Sequence, residues 1–177
     1  PCDAEEMRRL MPLTLEHQGP IYIRFGKGGE QIISSADQSF EIGKAVLMRE
    51  GNDALLVTTG ITLKDCLDAA ELLQIKGVSA GVLHMHTIKP LDAETLVRCA
   101  SGARAVVTVE EHSIVGGLGS GVAGVLAEAN MEQPSLKFKR IALPDVYPNL
   151  YGSQREMMDH FGINCENIVN TVVDLLS

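Results

Sequence analysis

Positive charge is scarce in this sequence: 15 Lys and Arg stand against 23 Asp and Glu, a net charge of −8. Nucleic acids and anionic membranes attract basic surfaces, so neither is expected as the main partner. No uninterrupted apolar run approaches the roughly 18 residues of a membrane span. No internal repeat or low-complexity segment divides the chain, and no C-x-x-C pair occurs. The four cysteines, Cys2, Cys66, Cys99 and Cys165, are widely spaced. Cys66 and Cys99 fall on the apolar faces of predicted helices, so the cysteines are expected to be small structural residues rather than zinc ligands or catalytic thiols. A reducing, cytoplasmic compartment fits that usage. The chain opens at Pro1 rather than at methionine, which leads to the expectation of a piece of something longer.

What is present describes an ordinary soluble globular protein: 45% apolar and 21% charged residues over 177 positions. That length can bury the core of one domain with part of a second. Residues 3–17 read as a helix with Met7, Leu10 and Met11 along one face, and Gly19-Pro20 ends it. Ile21–Phe25 reads as a short strand, and the polar stretch that follows, to Ser39, reads as a linker.

From Phe40 the pattern changes. Residues 44–49 and 54–59 look like two strands around the turn Glu50-Gly-Asn-Asp53, which predicts an antiparallel hairpin. Helix 62–76, strand 79–84, helix 92–101, strand 104–110, helix 118–129 and strand 136–141 then alternate, and helices 153–160 and 164–176 close the chain. Leu63, Cys66, Leu67 and Ala70 form an apolar helical stripe opposite Lys64, Asp68 and Glu71. Ser153 and Glu156 predict a capping box, Asp92 and Asn164 are placed to cap their helices, and Gly162 can end the helix before it. Alternating strands and helices imply right-handed crossovers and a mostly parallel sheet. The expected architecture is a three-layer α/β/α sandwich with five strands, one of them an antiparallel edge strand.

Several motifs suggest chemistry. Gly119, Gly121 and Gly124 complete a G-x-G-x-x-G, the pattern of a dinucleotide-binding oxidoreductase domain. Three features weigh against that reading. The apolar strand stops at Val109, with six residues before Gly116. Glu110 and Glu111, with no basic residue nearby, would repel a pyrophosphate. The pattern also sits in the third or fourth βα unit rather than the first. The plainer reading is a tight strand-to-helix loop and close helix packing. His84 and His86 would point to one face of a strand, as metal ligands can, yet no third ligand is evident and ordinary polar contacts are preferred. Arg24 and Lys27 flank a glycine turn that is either an anion cradle or the start of a solvated linker. His112, after two acids, is read as a hydrogen-bonded loop residue rather than a general base. No complete catalytic constellation emerges.

Six segments taken together are more specific: GPIYIRFGKG (19–28), FEIGKAVLMREG (40–51), TTGITLKDCLDAAELL (58–73), HTIKPLDAETL (86–96), VVTVEEHSIVGGLGSGV (106–122) and FGINCENIV (161–169). In this order they resemble the C-terminal third of transketolase and its thiamine-diphosphate relatives. Those relatives include deoxyxylulose-phosphate synthase and the beta subunits of 2-oxo acid dehydrogenases. The YIRFGKG segment looks most like transketolase, including two-gene forms whose C-terminal half is a separate polypeptide.

The resemblance implies that residues 1–39 are the tail of a preceding pyrimidine-binding domain plus a linker, and that residues 40–177 are the transketolase C-terminal domain. It implies a parent enzyme that transfers a two-carbon ketol unit between sugar phosphates, using thiamine diphosphate and Mg²⁺. In the family a basic residue, usually Arg, contacts the substrate phosphate at the position of Lys27; Lys keeps the charge but loses the bidentate fork. Arg24 is a second candidate contact. The diphosphate-binding segment and the glutamate that activates the aminopyrimidine belong to parts upstream of Pro1. No catalytic, cofactor-binding or metal-binding residue is therefore assigned in this chain. It is expected to be inactive alone, to bind no cofactor tightly, and to serve in assembly, as a homodimer or with an N-terminal transketolase subunit. Strand 21–25 would lack its neighbours, so residues 1–39 are expected to be poorly ordered or to borrow a partner's edge.

Overall fold

Two strands are buried at every position, Ala54–Thr58 and Ala80–His84, which requires layers on both faces of the sheet. The computed structural model describes residues 1–26, 28–129 and 135–177. Its elements run α1 (Ala4–Thr14), β1 (Val46–Arg49), β2 (Ala54–Thr58), α2 (Leu63–Ile75), β3 (Ala80–His84), α3 (Ala93–Ala100), β4 (Ala105–Ser113), α4 (Leu118–Glu128), β5 (Lys137–Leu143), α5 (Gln154–His160) and α6 (Cys165–Leu176). None of the described helices is long and apolar enough to cross a membrane.

Alternate residues of the central strands feed two separate cores. Ala54 and Leu56 of β2, with Val107 and Val109 of β4, pack with Leu63, Cys66 and Leu73 of α2 and Ile168 and Val172 of α6. Leu55 and Val57 of β2, with Leu83 of β3 and Val106 of β4, face the other way onto Leu96 of α3 and Leu118 and Val122 of α4. This is the expected three-layer α/β/α sandwich. Each fully buried Leu or Val contributes about 1.5–3 kcal/mol of burial free energy, so both layers are needed.

The sheet has five strands in the order β1-β3-β2-β4-β5. β3, β2, β4 and β5 are mutually parallel, and β1 runs antiparallel at the edge. The expected hairpin between 44–49 and 54–59 does not form. β1 pairs with β3 instead, with Val46 opposite His84 and Leu47 opposite Leu83. The link between β1 and β2 therefore crosses the start of β3. Gly51 lies so close to the backbone of Ala80 and Gly81 that a β-carbon there would collide with both. Asp53 anchors the crossing, its N–H donating to Ser79 O at 2.8 Å while its carboxylate accepts the Ser79 N–H at 2.8 Å. Burial gives the physical reason: β2 is wholly buried and takes a parallel neighbour on each side, whereas partly exposed β1 tolerates the edge.

The helix ends follow local chemistry. Asp92 accepts the Thr95 amide, Asn164 the Asn167 amide, and Ser153 with Glu156 closes a full capping box. Gly162 ends α5 with φ +71°, a left-handed conformation that favours glycine. Thr62 behaves differently. Its hydroxyl, rather than capping α2, pairs with Thr58 Oγ1 and donates to Val109 O, tying the entry to α2 to two strand ends.

Residues 1–39 divide into two parts. Ile21–Phe25 forms no strand in this chain. The segment around α1, by contrast, folds on itself and docks onto the domain, where Glu6 meets His84 of β3 and Cys2 joins one of the two cores. Asp3 caps α1 through the Glu6 amide and also accepts the Ile33 and Ser34 amides, and Arg9 donates to Gln38 O. The inward face of α1 carries Glu6 and Leu10; Met11, expected on the apolar face, is exposed.

Candidate functional site

The residues that invited a chemical reading gather at the C-terminal ends of β3 and β4, where open α/β sheets usually place ligands. β4 delivers Glu110, a buried carboxylate, at the start of the glycine loop. Its Oε2 accepts the Leu118 N–H at 2.7 Å and its Oε1 accepts the Gly119 N–H at 2.8 Å. These are the first amides of α4, where the helix dipole favours negative charge. An internal carboxylate thus fills the position that a pyrophosphate would need.

The glycines have packing reasons of their own. Gly116 turns with φ +78°. A side chain at Gly117 would collide with the Glu110 carboxylate, and a β-carbon at Gly119 would lie 2.6 Å from Thr108 Oγ1 and 2.7 Å from Arg140 Cδ. Among the described residues Gly121 meets only Leu91, at 3.6 Å, and Gly124 has nothing within 4 Å, so the third glycine of the pattern answers no close contact there. Arg140 of β5 reaches the loop and donates to Ile114 O at 2.9 Å and Ser120 Oγ at 3.2 Å. Sequence reading found no cation near this loop, because Arg140 arrives from a neighbouring strand 20 residues beyond Ser120.

His84 and His86 do share a face, with ring centroids 5.9 Å apart. Their environments differ. His84 is buried, and its Nε2 lies 3.1 and 3.0 Å from the two carboxylate oxygens of Glu6. Burial would raise the Glu6 carboxyl, but the His84 ring and the Cys2 N–H at 2.6 Å outweigh it and hold the group below the usual carboxylate range. His86 stacks on Phe40 with ring centroids 4.0 Å apart, its Nδ1 is 2.9 Å from Thr87 Oγ1, and burial pushes it down to about 4. His84 Nδ1 and His86 Nε2 are buried without a hydrogen-bond partner among the described residues. Cys2 and Glu6 escaped sequence reading because Glu6 meets His84 across 78 residues. A lone Cys and Glu at a helix start give no signal of a distant histidine.

Of the two candidate phosphate contacts, Arg24 is exposed and leans on β4. Its Nη1 donates to Glu111 O at 2.8 Å and its Nη2 is 3.7 Å from Glu111 Oε2. Lys27 lies outside the described residues. Within the glycine turn, the Gly28 N–H donates to Glu30 Oε1 at 3.3 Å, so an acid of the same segment already occupies the cradle. His112 is exposed at the end of β4.

Fold and site together describe an α/β/α domain whose described candidate polar groups are mostly engaged with one another. Comparisons with known proteins give its family. The family model for the transketolase C-terminal domain matches residues 43–168. A transketolase family protein of Sinorhizobium fredii is 38% identical over 178 residues, covering 99% of this chain and 51% of that protein. The 6-deoxy-6-sulfo-D-fructose transketolase subunit of a Clostridium species is 38% identical over 169 residues, covering 96% of this chain and 51% of the subunit. A solved split-gene transketolase, described as an inactive beta4 tetramer, superposes with a TM-score of 0.90 at 36% identity, covering 99% of this chain and 56% of that one. The chain belongs to the transketolase family and carries its C-terminal domain. It spans about half the length of these relatives.

Proposed function

We propose that this chain is the C-terminal section of a transketolase-type enzyme that moves a two-carbon ketol unit between sugar phosphates. The observation that carries the reading is the likeness, over 99% of this chain, to a split-gene transketolase chain. In this reading residues 1–39 end a pyrimidine-binding domain and residues 40–177 are the C-terminal domain. The enzyme works in the cytoplasm, and its partner is a second copy of the same chain or an N-terminal transketolase subunit or domain.

Thiamine diphosphate, with Mg²⁺, supplies the carbanion chemistry in the complete enzyme. The described residues of this chain do not fit the diphosphate: Glu110 fills the α4 amide cradle, and Arg24 is engaged with Glu111. In this reading the section serves assembly, and Lys27, joined by Arg24 once it is released from Glu111, grips the substrate phosphate.

Calorimetric titration of the isolated chain with thiamine diphosphate and Mg²⁺ tests the division of labour. No low-micromolar isotherm is expected; a clear one overturns the proposal. Ketol transfer should appear when the remaining subunit and domain are supplied, and pyruvate-decarboxylating synthase activity in its place would move the parent to the deoxyxylulose-phosphate synthase branch.

A further inference from the structure

We propose that Cys2, Glu6 and His84 form a binding site for a divalent transition-metal ion, zinc by preference, that clasps α1 to the end of β3. The donor atoms, one from each residue, lie within 4.8 Å of one another. All three residues are buried, at 3%, 2% and 1% exposure. They come from two regions far apart in the chain, which the fold alone brings together.

The donor set selects the metal. Sulfur, imidazole nitrogen and one carboxylate suit zinc or cobalt and not calcium or magnesium, which take oxygen. Charge also balances, since a thiolate and a carboxylate neutralise a divalent cation and leave no net charge buried. Without metal, burial and the neighbouring Glu6 push the Cys2 thiol up, so it stays protonated. On binding, the Cys2 proton leaves to solvent. Any proton on His84 Nε2 moves to Nδ1, which has no hydrogen-bond partner among the described residues, and the metal bond must offset that unsatisfied N–H. Three protein ligands leave one tetrahedral position to a water. His86 stands apart from this set, held by Phe40 and Thr87.

The site's consequence is mechanical. The matched C-terminal domain begins at residue 43, and α1 lies before it. A metal shared by Cys2, Glu6 and His84 would lock α1 to the sheet more firmly than the Glu6–His84 contact alone.

Cobalt(II) titration of the chelator-treated full chain tests this. One equivalent should give the intense visible bands of tetrahedral cobalt and a near-ultraviolet thiolate-to-cobalt charge-transfer band, and zinc should displace both. Cys2→Ser should abolish the charge-transfer band. His84→Gln should weaken zinc binding by more than about 100-fold, beyond the loss of an outer-shell partner. Cys99→Ser, away from the cluster, should change neither. Wild-type chain that shows no tetrahedral cobalt spectrum overturns the proposal, and so does a charge-transfer band that survives Cys2→Ser. If the variants fail to fold, the wild-type protein decides: one equivalent of zinc should raise its Tm, and an unchanged Tm refutes the site.

Discussion

The carboxylate of Glu110 accepts the amide of Gly119 at 2.8 Å, so the helix start that carries a dinucleotide-like glycine pattern is capped from within its own sheet. The same group takes the Leu118 amide, and both bonds are charge-assisted in a buried place. Glu110→Gln would keep the shape, but its NH₂ would face an amide donor. A loss of about 1–3 kcal/mol is expected from urea unfolding, because a buried donor is left unsatisfied. A variant as stable as the parent would show that the cap contributes little.

Gly119 and Gly124 should respond to alanine in opposite directions, although one motif contains both. At Gly119 the added methyl meets Thr108 Oγ1 and Arg140 Cδ, and overpacking should cost about 1–3 kcal/mol. At Gly124 the methyl enters open space inside α4, where alanine is the better helix former, and a gain of about 0.5–1 kcal/mol is expected. Parallel thermal melts of the two variants decide it, and equal shifts would refute the packing account.

Gly51→Ala tests the crossing over β3. A β-carbon there strikes the backbone of Ala80 and Gly81, which cannot rotate away. The expected destabilisation is about 2–4 kcal/mol, in the range of severe overpacking and backbone displacement. Chemical denaturation is the measurement, and a shift within about 0.5 kcal/mol would mean that β1 does not lie against β3.

Acid stability should depend on Asp92. Burial raises this carboxyl, but the Ala45 and Thr95 amides outweigh it, so its pKa is lowered from the ordinary 3.8. The folded state therefore binds the proton less readily than the unfolded state. The stabilisation is complete above the unfolded pKa and is lost as pH falls through the folded one. Wild-type protein should lose more stability than Asp92→Asn as pH falls through 3.8 and below, because only the wild type has a carboxylate to protonate there. Identical acid-unfolding curves would contradict this.

Much of the architecture was legible in the residues themselves. The alternation of apolar runs and amphipathic stretches after Gly60 located the helices and strands to within a few residues. Ser153, Asp92 and Asn164 marked helix starts because capping acts over three residues. Those signals are local, so a linear pattern carries them. The long motif from Val106 to Val122 and the segment HTIKPLD pointed to the family for a related reason: strand end, loop and helix start are consecutive in the chain.

Strand order and the polar pairings were decided in three dimensions. Nothing near residues 44–59 states that β3 will come between β1 and β2, because that depends on which strand needs apolar cover on both faces. Ile21–Phe25 has a strand's composition, but a strand needs a neighbour's backbone, and the described residues of this chain provide none. Glu110 reads as a surface acid until β4 buries it against the first amides of α4. Glu6 and His84 are unremarkable until the fold closes 78 residues between them. Propensity and capping follow from neighbours along the chain, whereas burial and pairing across the sheet follow from neighbours in space, and only packing brings those together.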